Sequence, residues 1–532
     1  MNKRLLLAVV LSVLVLTIYG YMFPQKSNLN DKNNTTTQNI TKNIDSKKAP
    51  SAPATINKTS TIKAPASSSS KILVNVDTNK YKLTIDNLGR INSVVLKEKK
   101  YKTNDGKPLN LINPNTIKPL EIRYKDENLN NLAFSIDYKS NKSNIDANSA
   151  PKDVVLEQNL NGKIVKKIIK FYPDGHYDIK IEAPKGVEYL ITPGFRPTVD
   201  KSMYLVVRGV IVREANGVID TFESGDIKEI KTIDSANVVS ATDRYYATLF
   251  YKKSGVFSTV VAPSGIKGYE TEPIAFISAN GNLDLEGYVG PKEWKLFSKL
   301  DPKLTDVIEF GWFTFLAKPF FKIMLKIYEF VGNWGWAIVL FTILVKIVLF
   351  PLSYKGLMSM QKLKDLAPKM KEIREKYGKD PAKMNQQMMA LYQKHGANPM
   401  GGCLPMLLQI PIFFALYRVL LNADELQGAP WILWIQDLSR QDPYFVLPIL
   451  MGLTMYIQQK ITPNTMTDPM QQKIFQFLPV VMTIFFVTFP SGLVLYWLTN
   501  NILTIAQQIY INKAYEKYKE KVKNKKKNSS ES

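Results

Sequence analysis

Between Lys473 and Lys513 lie 39 residues without a formal charge. A stretch that long belongs in lipid, because one bilayer crossing takes only about 20 apolar residues in a helix. Pro490-Ser491-Gly492 divides it, so the spacing predicts a tight helical hairpin with spans near 474–489 and 492–511. Three more apolar runs precede it, at 331–354, 404–422 and 443–459. At ~1.5 Å per residue, the spans at 443–459 and 474–489 fall a few ångströms short of a ~30 Å hydrocarbon core, which implies local thinning of the bilayer.

Another uncharged run, Leu5 to Phe23, follows Lys3 and Arg4. A cleaved signal peptide would end in small residues, whereas this run ends Tyr19-Gly20-Tyr21-Met22-Phe23-Pro24, so an N-terminal transmembrane anchor over 1–23 is expected. Loop charge orients the six spans. Residues 355–395 carry ten Lys/Arg against four Asp/Glu, and the tail 513–532 carries eight against three. Residues 423–442 carry one against four. The positive-inside rule then puts both termini in the cytoplasm and residues 24–330 outside it.

The exported part has two textures. Residues 24–70 are Asn, Thr, Ser, Lys, Pro and Ala with few large apolar side chains, too little to offset chain entropy, and read as a disordered tether. Over 71–305, KLTIDNLGRINSVVL and IVKKIIKFYPDGHYDIKIEAP each show alternating apolar residues around a Gly-bearing turn, the grammar of strand, turn and strand. A mainly β domain, a sandwich, is expected there. Residues 306–330 set Lys318, Lys322 and Lys326 on an otherwise apolar helix, suited to the membrane interface; a core helix of the β domain is the other reading. The fold class is thus a polytopic α-helical membrane protein of six spans, five forming a bundle over 331–512, with a large mainly-β exported domain.

Lys and Arg outnumber Asp and Glu by 70 to 46, which suits anionic partners such as phospholipid or RNA. One cysteine, Cys403, and two distant histidines, His176 and His395, leave no means for a metal cluster or imidazole-driven catalysis. With no P-loop and no GxGxxG fingerprint, neither a cofactor nor covalent chemistry is expected.

Chemistry concentrates instead at Lys346, within the span 331–354. Nine residues before Lys355, it lies about 13 Å inside the membrane, too deep to snorkel comfortably. It must face a bundle interior or a wet cavity. Thr342 lies one turn away, and Gln409, Gln458, Asn500, Asn501, Gln507 and Gln508 supply polar groups in other spans, none of which holds an acid. The residues alone leave three readings: an attractor for acidic or polar parts of a passing client, a structural lysine bonded to carbonyls, or a transporter site. No internal repeat or pair of broken helices supports the last, and no small-molecule substrate is expected.

Residues 355–395 step in threes and fours through Leu363, Leu366, Met370, Ile373 and Tyr377, then Met384, Met388 and Leu391, which predicts a cytoplasmic helical hairpin. Its methionines could pack on each other or offer an adaptable surface to apolar clients. The tail, with Lys525, Lys526 and Lys527, either binds RNA phosphate or is simply solvated.

The segments NWGWAIVLFTILVKIVLFPLS, NPMGGCLPMLLQIPIFFALYRVL, DPYFVLPILMGLTMYIQQK, DPMQQKIFQFLPVVMTIFF and FPSGLVLYWLTNNILTIAQQ closely resemble the membrane region of the YidC insertases, and the exported β domain resembles their Gram-negative form by layout. The resemblance implies a hydrophilic groove, open to cytoplasm and lipid, that receives nascent membrane proteins. It also implies as partners the Sec translocon with its accessory subunits, the signal-recognition route and the ribosome. The family's functional arginine falls at Lys346, the preceding threonine at Thr342, and its last-span aromatic at Trp497, beside Tyr496. Lysine keeps the charge but not the guanidinium fork.

Overall fold

The computed structural model describes residues 71–528, apart from 104, 201–205, 379, 396–403 and 463–468 and the side chains of 312, 404–407, 469–471, 522, 523 and 525–528. The expected anchor (1–23), the tether (24–70) and the side chains of Lys525, Lys526 and Lys527 lie outside the described residues.

Lys152–Leu160 and Lys163–Phe171 bury every second residue, as strands with one face on a core must. Asn161 and Gly162 join them with φ of 53° and 88°, the left-handed pair that a two-residue hairpin requires. Both strand–turn–strand units read from the sequence form: Tyr81–Asp86 pairs with Ile91–Leu96, and Lys163–Phe171 with His176–Glu182. At the second turn Gly175 has φ 89°, and an added Cβ would lie 2.9 Å from the Tyr81 ring, so both backbone and space demand glycine.

Two sheets result. The smaller runs in the order Ile91–Leu96, Tyr81–Asp86, Ile72–Asp77, Asn144–Asp146. The larger has 13 strands, its path running Ile122–Tyr124, Glu188–Ile191, Pro273–Asn280, Phe257–Pro263, Lys231–Thr242, Tyr246–Tyr251, Leu283–Pro291, His176–Glu182, Lys163–Phe171, Lys152–Leu160, Lys139–Ser140. Gly209–Glu214 and Ile219–Glu223 branch from Lys231–Thr242. Val74, Leu83 and Ile85 of the small sheet share one core with Val154, Ile169 and Ile179 of the large one. Two helices that the strand pattern masked are present: α1 (Glu127–Ser135), capped by Asp126 accepting from the Leu129 amide at 2.8 Å, and α2 (Trp294–Leu300).

The helical region begins with α3 (Thr314–Val331) and continues through α4 (Trp334–Asp365), α5 (Ala367–Tyr377), α6 (Pro381–Lys394), α7 (Leu404–Asn422), α8 (Val446–Ile461), α9 (Pro469–Phe486) and α10 (Ser491–Asn528). Helix α3 buries Ala317, Phe321 and Met324 and exposes Phe315 and Phe330. Its Lys318 pairs with Asp306, which also holds Arg213 at 2.7 Å, so part of the basic stripe is tied to the β domain. Among the described residues α4 alone is long and apolar enough, by length and composition, to cross a membrane.

Two boundaries differ from the sequence reading. The span expected to stop at 354 runs on in α4 to Asp365, and the chain turns at Leu366, just before Pro368; the hairpin proper is α5 and α6. The tail expected after 512 is helical through Asn528, continuous with the last apolar helix. Charge marks where lipid ends, but a helix entering water keeps its hydrogen bonds and need not end there.

The β domain is docked on the segment between α7 and α8. Asp424 accepts from Lys100 Nζ at 2.9 Å and from the Tyr101 hydroxyl at 2.7 Å. Glu425 accepts from the Trp294 amide at 3.0 Å, and Arg244 Nε donates to the Leu421 carbonyl at 2.8 Å. Apolar packing is continuous across this junction, from Leu249 and Tyr288 through Trp294 and Phe321 to Trp334 and Leu416.

Candidate functional site

Helix α10 places Tyr496, Asn500, Thr504, Gln508 and Asn512 four residues apart, hence along one face. It packs along both α4 and α8. From α4, Lys346 reaches across and its Nζ donates to Thr504 Oγ1 at 2.8 Å; Thr504 passes its own proton to the Asn500 carbonyl at 2.7 Å. Among the described residues no carboxylate pairs with Lys346, and two of its three N–H donors have no protein partner. The side chain is half-buried.

Below this contact the seam stays polar. Gln508 Nε2 donates to Asn512 Oδ1 at 2.7 Å, Gln361 of α4 donates to the same oxygen, and Asn512 Nδ2 donates to the Ile461 carbonyl at 3.4 Å. Asn501 reaches the Met451 carbonyl and Thr454 Oγ1, both at 3.4 Å. Further along the same two helices, Asp365 binds Tyr515 at 2.9 Å and Lys519 at 3.1 Å. Buried amides of this kind are satisfied pairwise, which fixes the register of α4, α8 and α10.

The residues singled out from the sequence divide into three groups. Lys346, Asn500 and Gln508 line the α10 seam. Thr342 does not open onto it: 1% exposed, it donates to the Ile338 carbonyl of its own helix at 2.7 Å. Tyr496 is buried with Gln409 as its polar neighbour, while Trp497 is half-buried, with the Phe413 and Phe486 rings at 4.7 and 4.9 Å. Gln458 is half-buried on α8. On the hairpin, Met370 sits inside the α5–α6 seam against Tyr392, Met388 packs at its edge, and Met384 is half-exposed. Sequence reasoning missed Thr504, Asn512 and Gln361: four-residue spacing from Tyr496 puts Thr504 and Asn512 on one face of α10, but only the packing of α10 on α4 gives them their partners. It also passed over Arg418, which lies beside Gly311 near the C-terminal end of α7.

Among the described residues no group of three or more His, Cys, Asp or Glu could hold a metal. A large mainly-β domain packed on a helical region that holds one long apolar helix, with Lys346 in a polar seam, is the build of a membrane protein with a domain outside the lipid. That is the class these features define. The family models agree with it in detail: "YidC periplasmic domain" matches residues 73–323 and "60Kd inner membrane protein" matches 326–520. The membrane protein insertases YidC of Campylobacter jejuni and Wolinella succinogenes are each 46% identical over 518 residues, covering 97% of this chain and 97% and 96% of theirs. That of Helicobacter pylori is 45% identical over 545 residues, 97% of both chains. The chain belongs to the YidC family of membrane protein insertases, inner-membrane proteins with a periplasmic domain and no covalent catalysis.

Proposed function

We propose that this insertase receives nascent hydrophobic segments in a hydrophilic groove centred on Lys346 and releases them into inner-membrane lipid, alone or beside a Sec translocon. The Lys346–Thr504 contact carries the reading: an ammonium on a spanning helix is met by a neutral hydroxyl, not by a carboxylate. A central lysine costs about 2.5–3.5 kcal/mol on insertion scales, and a compensating acid would remove its pull on a client. Left with spare donors, it draws the polar or acidic flank of a passing segment partway across. Asn500, Gln508, Gln409 and Gln458 offer that flank hydrogen bonds; Trp497 and Tyr496 give its apolar part a surface, and Thr342 steadies α4 behind Lys346.

The proposed topology has six spans, with both termini cytoplasmic and residues 24–330 periplasmic; the loop charges support it. The proposed organisation is anchor (1–23), tether (24–70), β domain (71–305), interfacial helix (306–330), bundle (331–512) with its hairpin (355–395), and basic segment (513–532). Met384 and Met388 on the hairpin, with Met370 packed behind them in its seam, and the basic segment with Lys525, Lys526 and Lys527 are the proposed contacts for the ribosome, the signal-recognition route and emerging clients, and the exposed Lys322 and Lys326 of α3 suit anionic phospholipid. A photocrosslinker at residue 409 or 497 should capture a single-span protein during its synthesis, and depletion should stop the insertion of that client into vesicles. Crosslinks to lipid alone would count against the groove.

A further inference from the structure

The segment between α7 and α8 carries an apolar tip whose backbone is held in an unusual state. Leu433 and Phe445 adopt φ of 52° and 57°, values a side chain with a Cβ reaches only at a cost of about 1–3 kcal/mol. Both point outward: Leu433 is 73% and Phe445 42% exposed, with Tyr444 and Ile432 beside them at 67% and 39%. Residues 428–436 carry no charge, and the charged pair Asp437 and Arg440 stands directly behind them.

The tip rests on a rigid base. Asp442 accepts from Trp434 Nε1 and the Tyr444 amide, each at 3.0 Å, and from the Leu447 amide at 2.7 Å. The Arg440 carbonyl accepts from the amide and hydroxyl of Ser491, both at 2.7 Å, tying the segment to the start of α10. Trp431 lies flush on Gly335 of α4, where an added Cβ would sit 2.1 Å from its ring, and its ring meets that of Trp336 at 5.7 Å. Trp336 opens an exposed apolar strip on α4 that continues through Leu340, Leu344, Ile347 and Val348. The tip therefore extends the surface that this spanning helix turns toward hydrocarbon.

We propose that residues 431–435 and 444–445 form a lipid anchor, seated in the interfacial layer of the outer leaflet. Tryptophan and tyrosine at the rim with leucine and phenylalanine beyond them match the chemistry of that layer. Because Trp431 is locked to Gly335, the anchor also fixes how deep α4 sits. Lys346, 11 residues further along, is then held about 16 Å below the rim.

The inference rests on the proposed topology, and its test separates the two. In the full chain with Cys403→Ser, a nitroxide is placed on a single cysteine introduced at 433, 440 or 445, and the protein is reconstituted in phosphatidylethanolamine–phosphatidylglycerol vesicles. Collisions with oxygen should exceed those with a water-soluble nickel chelate at 433 and 445, with the opposite at 440. Nickel dominating at 433, or both reagents excluded there by a covering protein surface, would overturn the anchor. Orientation is read independently, by treating intact spheroplasts that carry the Arg440→Cys variant with a membrane-impermeant maleimide: no reaction until lysis would sink the topology and leave the depth measurement standing.

Discussion

At the scale of single residues, Lys346 holds together two demands that pull apart. An ammonium in a membrane wants compensation, and the proposed groove wants its charge unspent; the Thr504 hydroxyl offers the first without a carboxylate to defeat the second. If charge, not guanidinium geometry, is what matters, Lys346→Arg should insert a labelled client into vesicles at close to the wild-type level. Lys346→Glu should lower insertion of clients with acidic translocated segments by on the order of tenfold, about 1.4 kcal/mol of altered charge interaction. Equal activity of the three proteins would exclude an electrostatic role. Lys346 was legible because one charge in an apolar run is expensive. Thr504 was not, since a threonine on a membrane helix is cheap and only the register of α10 on α4 gives it a partner.

Among elements, the junction between the β domain and the helices has a titrating part. The Glu425 carboxyl is pushed up to about 7, first by loss of water around it and second by the negative charge of Asp424. Unfolded, it would titrate near 4.5. Between these values the folded chain binds more protons than the unfolded one, so the contribution to stability is full below about 4.5 and is lost as pH rises through about 7. The slope is at most about 1.4 kcal/mol per pH unit. Glu425→Gln, which can still accept from the Trp294 amide, should flatten the fall in thermal midpoint of the full chain over this window; an unchanged slope would remove Glu425 as its source. Hairpins such as Tyr81–Leu96 were readable because alternation and turn glycines are local. The overrun of α4 to Asp365 was not, because charge reports the lipid boundary and says nothing of the helix end.

Across the whole molecule, the β domain and the bundle are one packed body at residues far apart in sequence, as Lys100 and Asp424 show, and no local pattern announces such pairs. Removing 71–305 strips Asp424 and Glu425 of Lys100, Tyr101 and the Trp294 amide, yet leaves the α10 seam intact. The truncated chain should therefore retain part of its insertion activity in depleted cells, and Asp424→Asn with Glu425→Gln should raise its abundance by easing two stranded carboxyls. Complete loss at normal abundance would move the activity into the β domain. Finally, α10 is 38 residues without a break, about 57 Å from Ser491 to Asn528. It is a stiff rod, basic at one end, with Asn500 and Thr504 partway along it. A tug or twist applied at that end would reach Thr504, and through it Lys346, with no break in the helix to absorb it.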